Sequence, residues 1–171
     1  MARPERTYGA PQQIQPTRLG DYLEVMSKAV FQTGISWRVV DAKWPGIREA
    51  FHDFDHQAVA SFTEDDLAKL CADTRVIRNR RKIEAIVDNA RLMLDLEEQH
   101  GALRHGSGQG FQSYLRSHGG FEPCVADLRK RFKFMGDTGA YYFLYVIGEQ
   151  VPDYDDWCAS RGRPHHGHDS G

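Results

Sequence analysis

The sequence predicts an all-α body, on three observations. Apolar residues recur at the three-to-four spacing of a helix face, glycines stand where those patterns stop, and no stretch alternates apolar and polar residues around hairpin-turn chemistry. Tyr22, Val25, Met26, Ala29 and Val30 form the first stripe, which should end near Thr33 and Gly34. Pro45 suits the first turn of a second helix, Trp44 to Phe54. Thr63 to Asp66 has the form of a capping box and opens a helix through Leu67, Leu70 and Cys71. Arg81 to His100 is the longest periodic segment: Ile83, Ile86, Val87, Ala90 and Leu94 share a face, and Gly101 stops it. Phe111 to Leu115 makes a short helix closed by Gly119 and Gly120, and Val125 to Arg131 makes another. Gly136 opens an apolar helix through residues 141–147, ended by Gly148. Some seven helices with short connections result.

Length and composition suit one such body. The chain has 171 residues, 40% hydrophobic and 27% charged, enough to bury a core and too apolar for wholesale disorder. Pro4, Pro11 and Pro16 mark residues 1–16 as an arm, residues 17–160 form the helical body, and the polar, glycine-rich 161–171 form a tail. No apolar run reaches the ~18–20 residues of a bilayer span, and the start lacks an apolar signal region, so an intracellular protein is expected. Cys71, Cys124 and Cys158 are odd in number and lack C-x-x-C spacing, which disfavours a disulfide framework or a cysteine zinc site. A net charge of −2 leaves any nucleic-acid binding to local patches.

Five features carry possible chemistry, each with an ordinary structural alternative. Residues 129–140 (Arg129-Lys-Arg-Phe-Lys-Phe-Met-Gly-Asp-Thr-Gly-Ala140) place a basic helix end before a tight turn and a new helix N-terminus. Free N–H groups and the helix dipole there favour an anion, and Arg129, Lys130, Arg131 and Lys133 ring it with positive charge. An inter-helix turn with dipole-matched basic residues would look the same. Arg75-Val-Ile-Arg-Asn-Arg-Arg-Lys82 offers a second phosphate contact, or a solvated loop. In Gln32-Thr-Gly-Ile-Ser-Trp37, Ile35 could fill the gap left by an extruded base and Trp37 could stack on that base; both also suit a core contact. Val151-Pro-Asp-Tyr-Asp-Asp-Trp157 offers a carboxylate for a charged sugar, or an exposed acidic turn. His165, His166 and His168 could hold a metal or be an incidental cluster.

Taken in order, these stretches resemble the DNA-3-methyladenine glycosylase I family of the helix-hairpin-helix glycosylases. The resemblance rests on Gln32-Thr-Gly-Ile-Ser-Trp37, Arg48-Glu-Ala-Phe-His-Asp-Phe54, residues 76–90 (Val76-Ile-Arg-Asn-Arg-Arg-Lys-Ile-Glu-Ala-Ile-Val-Asp-Asn-Ala90) and Phe132-Lys-Phe-Met-Gly136. It implies a helix-hairpin-helix glycosylase-like bundle with a cleft. The implied activity is hydrolysis of the N-glycosidic bond of alkylated purines, chiefly N3-methyladenine, in damaged double-stranded DNA. Lys133, Met135, Gly136 and Thr138 would then grip the DNA backbone; Gln32, Gly34 and Ile35 would form the turn that enters the stack; Trp37, Ala29 and Tyr22 would line the base pocket. A catalytic aspartate counted as in the wider superfamily, seven residues after the glycine that ends the post-hairpin helix, falls on Asp155. The resemblance further implies no cofactor, no membrane, a monomer, and a cytoplasmic, nucleoid-associated bacterial setting.

Two departures stand out. The family's pocket carries a glutamate eight residues before this tryptophan, and here that position is Ala29. Glu24, five residues earlier, points about 140° away on a helix. The family's zinc site near the termini has no counterpart, since the first 50 residues hold no Cys or His and Asp153 stands in place of its C-terminal His; no metal is expected. The alternative reading is therefore a damaged-DNA-binding protein that is inactive or of altered specificity.

Overall fold

The computed structural model describes residues 10–101 and 104–161, and among these every regular element is helical. The helices are α1 (Leu19–Gln32), α2 (Trp37–Ala50), α3 (His56–Ala60), α4 (Glu64–Ala72), α5 (Arg80–Gln99), α6 (Gln109–Arg116), α7 (Phe121–Arg131), α8 (Asp137–Val146) and α9 (Tyr154–Ser160), with a 3₁₀ turn at His52–Phe54. The tail histidines lie outside the described residues. Of the arm, residues 13 and 14 meet the end of α8, where the Gln13 side chain and the Ile14 N–H donate to the carbonyls of Tyr145 and Val146.

The core forms between α1 and α5. The first stripe is buried as its spacing requires, with Leu19, Leu23, Met26, Val30 and Phe31 fully enclosed. Ile83, Ile86, Ala90, Met93 and Leu96 of α5 are enclosed likewise. Helix α5 packs on α1, α3, α4 and α6, and α1 in turn packs on α2 and α8.

Three local readings are corrected. Helix α2 starts at Trp37, well before Trp44, because the Ser36 side chain caps it by accepting from the Arg38 N–H (3.1 Å). Pro45 therefore sits inside the helix on an exposed face, where its missing N–H leaves the Asp41 carbonyl without its intrahelical donor. The segment after α2 is not helical to Phe54: His52, Asp53 and Phe54 have φ of 57°, 57° and 54°, a left-handed turn that swings the chain into α3. The Arg18 guanidinium holds this turn through the Asp53 carbonyl (2.8 Å). Lastly, Asp153 accepts from the Asp156 N–H (3.2 Å) and makes the acidic stretch the start of α9. Trp157 anchors α9 on Tyr141, ring to ring at 4.7 Å.

The start of α6 depends on α5. Gly108 offers no side chain to cap it, and the fully buried Glu97 carboxylate accepts from the Gly108 and Phe111 N–H groups instead, each at 2.8 Å. The helices approach so closely that a Cβ on Gly110 would lie 2.0 Å from the Glu97 carbonyl oxygen. Helix propensity alone would make Gly110→Ala stabilising by up to about 1 kcal/mol. Backbone overlap reverses the sign: a loss of about 2 kcal/mol or more is expected in chemical denaturation.

Candidate nucleic-acid interface and base site

Helices α7 and α8 are joined by the five residues 132–136, a hairpin. Phe132 and Met135 turn inward and are buried, while Phe134 takes a left-handed conformation (φ 56°) that folds the turn tightly. Gly136 precedes α8 with no side-chain cap, and both it and Thr138 are exposed. The first N–H groups of α8 thus face outward at the positive end of the helix dipole. What fixes the turn is Asn89 of α5, itself 2% exposed. Its side-chain oxygen accepts from the Lys133 N–H (2.8 Å) and its amide donates to the Lys133 carbonyl (3.1 Å).

The turn after α1 is fixed from the same helix. Gly34 has φ 76° and open space around it, so the chain reverses there without hindrance. The Lys82 ammonium, buried among apolar groups, donates to the Phe31 carbonyl (3.1 Å) and to the Thr33 carbonyl. Burial pulls its pKa below the usual lysine value, yet its position on the negative end of the α1 dipole suits a cation. Lys82 and Asn89 are seven residues apart on one face of α5, about 10 Å along its axis. One helix face therefore sets both turns. Asn89 lies inside a stretch that carries the family resemblance, but its bond to residue 133 is invisible in the sequence.

Most of the basic residues are already paired. Arg75 meets Asp73 (2.7 Å) and Glu49 (3.2 Å), Arg80 meets Glu64 (2.6 Å) and Glu84 (2.7 Å), and Lys133 meets Asp88 (2.7 Å). Arg129 and Arg161 both hold Asp137 at the first position of α8, the former at 3.3 Å. With Lys82 buried, the run 75–82 presents only Arg78 and Arg81 as exposed cations without an ion pair among the described residues. Arg81 shares a cleft with Lys133 and Phe134 beside the hairpin.

The predicted base site is partly assembled. Ala29 is buried under the hairpin: a Cβ placed on Gly139 of α8 would lie 3.9 Å from the Ala29 Cβ and 3.5 Å from the Met135 sulfur. Met135 thus points inward and cannot offer its side chain to a DNA backbone. The Tyr142 phenol, whose pKa burial pushes up to about 12, has Gln32, one turn beyond Ala29, among its polar neighbours. Ile35 is half-buried against the core, not extended from the turn. Trp37 is half-exposed (51%) at the start of α2, with the Arg38 guanidinium 5.5 Å from its ring.

Two predicted residues do not join this group. Tyr22 lies two helical turns from Ala29, buried against the Phe111 ring at 5.2 Å and against Gly108, because the close approach of α1 to the start of α6 leaves room for a planar ring there. Asp155 lies across α8. Tyr141 and Asp137 face α9 through Trp157 and Arg161, whereas Gly139 faces Ala29. Residues 139 and 141 point about 200° apart on a helix, so α9 and α1 flank opposite sides of α8. Glu24 is also committed elsewhere, accepting from the Trp44 indole N–H (2.9 Å) and pairing with Arg48 (3.3 Å).

A family model described as methyladenine glycosylase matches residues 12–118. The chain belongs to the methyladenine glycosylase family. DNA-3-methyladenine glycosylase 1 of Escherichia coli is 33% identical over 68% of this chain and 70% of its own length, and DNA-3-methyladenine glycosylase of Haemophilus influenzae is 32% identical over 74% and 75%. Among solved structures, a solution structure of 3-methyladenine DNA glycosylase I, concerned with alkylated base recognition, aligns with TM-score 0.64 at 29% identity over 93% of this chain and 88% of that one. A crystal structure of the same enzyme type aligns with TM-score 0.65 at 28% identity over 79% and 81%. The family match takes in α1 to α6, so the hairpin beyond it stands on its own geometry.

The hairpin should depend on Asn89 more than on any charge. Asn89→Ala leaves two backbone groups at Lys133 unpaired and is expected to cost about 2–3 kcal/mol in thermal or denaturant unfolding. Asp88→Asn releases Lys133, leaves stability within about 0.5 kcal/mol, and is expected to tighten binding to duplex DNA a few-fold at low salt, as read by fluorescence anisotropy.

Proposed function

We propose that the protein is a DNA glycosylase that releases alkylated purines of the 3-methyladenine type from damaged duplex DNA, acting as a monomer and without a cofactor. The observation that supports this most is the joint fixing of the glycine turn and the hairpin turn on one face of α5. Extrusion of a nucleotide needs the strand held on one side and the gap filled on the other, with the distance between the two kept constant. The hairpin supplies the hold: outward N–H groups at the start of α8, with Thr138 and, once released from Asp88, Lys133. Gln32, Gly34 and, once swung out from the core, Ile35 supply the other side.

The chemistry asks little of the protein. A purine alkylated at N3 is cationic and a good leaving group, so the base needs no strong general acid. The glycosidic bond breaks with its electron pair leaving on the base, the sugar becomes oxocarbenium-like, and water adds to it and releases a proton to solvent. The protein contributes extrusion, which costs a few kcal/mol and less for a poorly paired base, and attraction to the cation. The half-exposed Trp37 ring offers a π face worth about 1–2 kcal/mol to a cationic base once water is excluded.

A second reading is a damaged-DNA-binding protein without turnover, and Ala29 favours it: at the position of the family's glutamate there is a buried methyl group facing Gly139. Incubation with methylated duplex DNA, followed by chromatography of released bases and gel detection of abasic sites, separates the two. Release of 3-methyladenine above buffer is the expected result. A folded protein that holds abasic duplex and releases nothing would establish the second reading.

A further inference from the structure

Ala29 removes the carboxylate that the resemblance places on α1, and the structure brings another to the same corner from α2. Asp41 stands one helical turn after Trp37, so the two side chains leave the same face of α2. Toward α1, Asp41 pairs with the Lys28 ammonium at 2.6 Å, and Lys28 is the neighbour of Ala29. Toward α8, the Tyr142 phenol is held un-ionised chiefly by burial and further by the charge of the Asp41 carboxylate. Tyr142 follows Gly139 by three residues on one α8 face, and Gly139 covers Ala29. Three helices thus converge with Ala29 and Gln32 from α1, Trp37 and Asp41 from α2, and Gly139 and Tyr142 from α8.

Resting on the glycosylase reading, we propose that Asp41 is the residue that selects a cationic base, in place of the glutamate absent at Ala29. The Lys28 ammonium is its resident counterion. It also lies 5.5 Å from the centre of the buried Trp44 ring, so this corner already holds one cation between a carboxylate and an indole. A bound cationic base draws Asp41 from Lys28; a neutral base gains nothing from the exchange. Asp41 acts by direct contact with the base, and Lys28 sets how strongly a substrate must compete for it. The side chains of the pair are 24% and 47% exposed, so its loss costs the fold little.

The test uses the full chain, wild type beside Asp41→Asn and Lys28→Met, each with its melting temperature checked. Two readouts are taken: release of 3-methyladenine from methylated duplex, and indole-fluorescence titration with 3,9-dimethyladeninium, a cation blocked at N9 as in DNA, against neutral 9-methyladenine. Wild type is expected to prefer the cation; Asp41→Asn should lose that preference by about tenfold or more, and Lys28→Met should strengthen it. In the release assay, kcat/KM should fall in the first variant and rise in the second. An Asp41→Asn protein with wild-type cation preference overturns the inference even where release continues, and so does a wild type that shows no preference. A wild type that prefers the cation through Asp41 yet releases no base upholds the inference and overturns turnover instead.

Discussion

Helix ends and tight turns carry backbone groups with no partner of their own, and in this protein α5 satisfies four sets of them. Lys82 holds the carbonyls at the end of α1, Asn89 holds both backbone groups of Lys133 in the hairpin, Arg91 donates to the carbonyls of Ala60 and Phe62 after α3, and Glu97 accepts from the first N–H groups of α6. Three of the four are side chains that would cost several kcal/mol to bury unpaired. Each therefore makes the position of a neighbouring element conditional on α5. A body built this way keeps two distant turns in register through one rigid rod, not through the loops that carry them. For a protein that must part a base from its stack, that register is the property on which contact with both flanks of the nucleotide depends.

The electrostatics follow from the same economy. A chain of net charge −2 has no general attraction for DNA, and here most cations near the two turns are matched by nearby carboxylates. Phosphates must displace these partners, so binding gains only the difference between a phosphate and a carboxylate. Attraction is left to Arg38, Arg78, Arg81 and Lys130, exposed and without ion pairs among the described residues, and to the N–H groups of α8. On the proposed reading, such a surface leaves discrimination to the extruded base. Asp137 illustrates the balance: a carboxylate at the first position of α8 would repel a phosphate, and Arg129 and Arg161 from the two flanking helices neutralise it.

Periodicity made the long helices legible. The stripes of α1 and α5 are buried, with Leu94 alone among them partly exposed, and glycine stops put the ends of α1, α5 and α8 within a few residues. The failures have physical causes. Pro45 suits a helix start, but a proline on an exposed face forfeits one bond and a cap at Ser36 outweighs it. The left-handed run at 52–54 has no glycine to announce it and exists because Arg18 and the packed rings of Phe51 and Phe54, 5.1 Å apart, hold it. Helix α9 is too short and acidic to show a stripe, and it forms through the Asp153 cap and docking of Trp157 on Tyr141. At the site, motif spacing located the two turns; it could not show that Lys82 faces inward, that Met135 lies beneath its turn, or that α8 stands between Asp155 and Ala29, because those are facts of packing between segments far apart in sequence.

The displacement of a carboxylate from α1 to α2 has a consequence for the kind of substrate that fits. A carboxylate at Ala29 would lie in a dry contact between helices, where its field is strong and its desolvation costly. Asp41 is 47% exposed and balanced by Lys28, so its attraction is weakened by water and by its own counterion. A weak field cannot draw a proton onto a neutral base or help it leave. It can only prefer a base that arrives already charged, whose glycosidic bond is labile before the protein acts. Chemistry of that kind tolerates a protein that positions and excludes water without a strong acid. The loss of the buried glutamate therefore narrows the range of bases toward cations more than it abolishes the reaction.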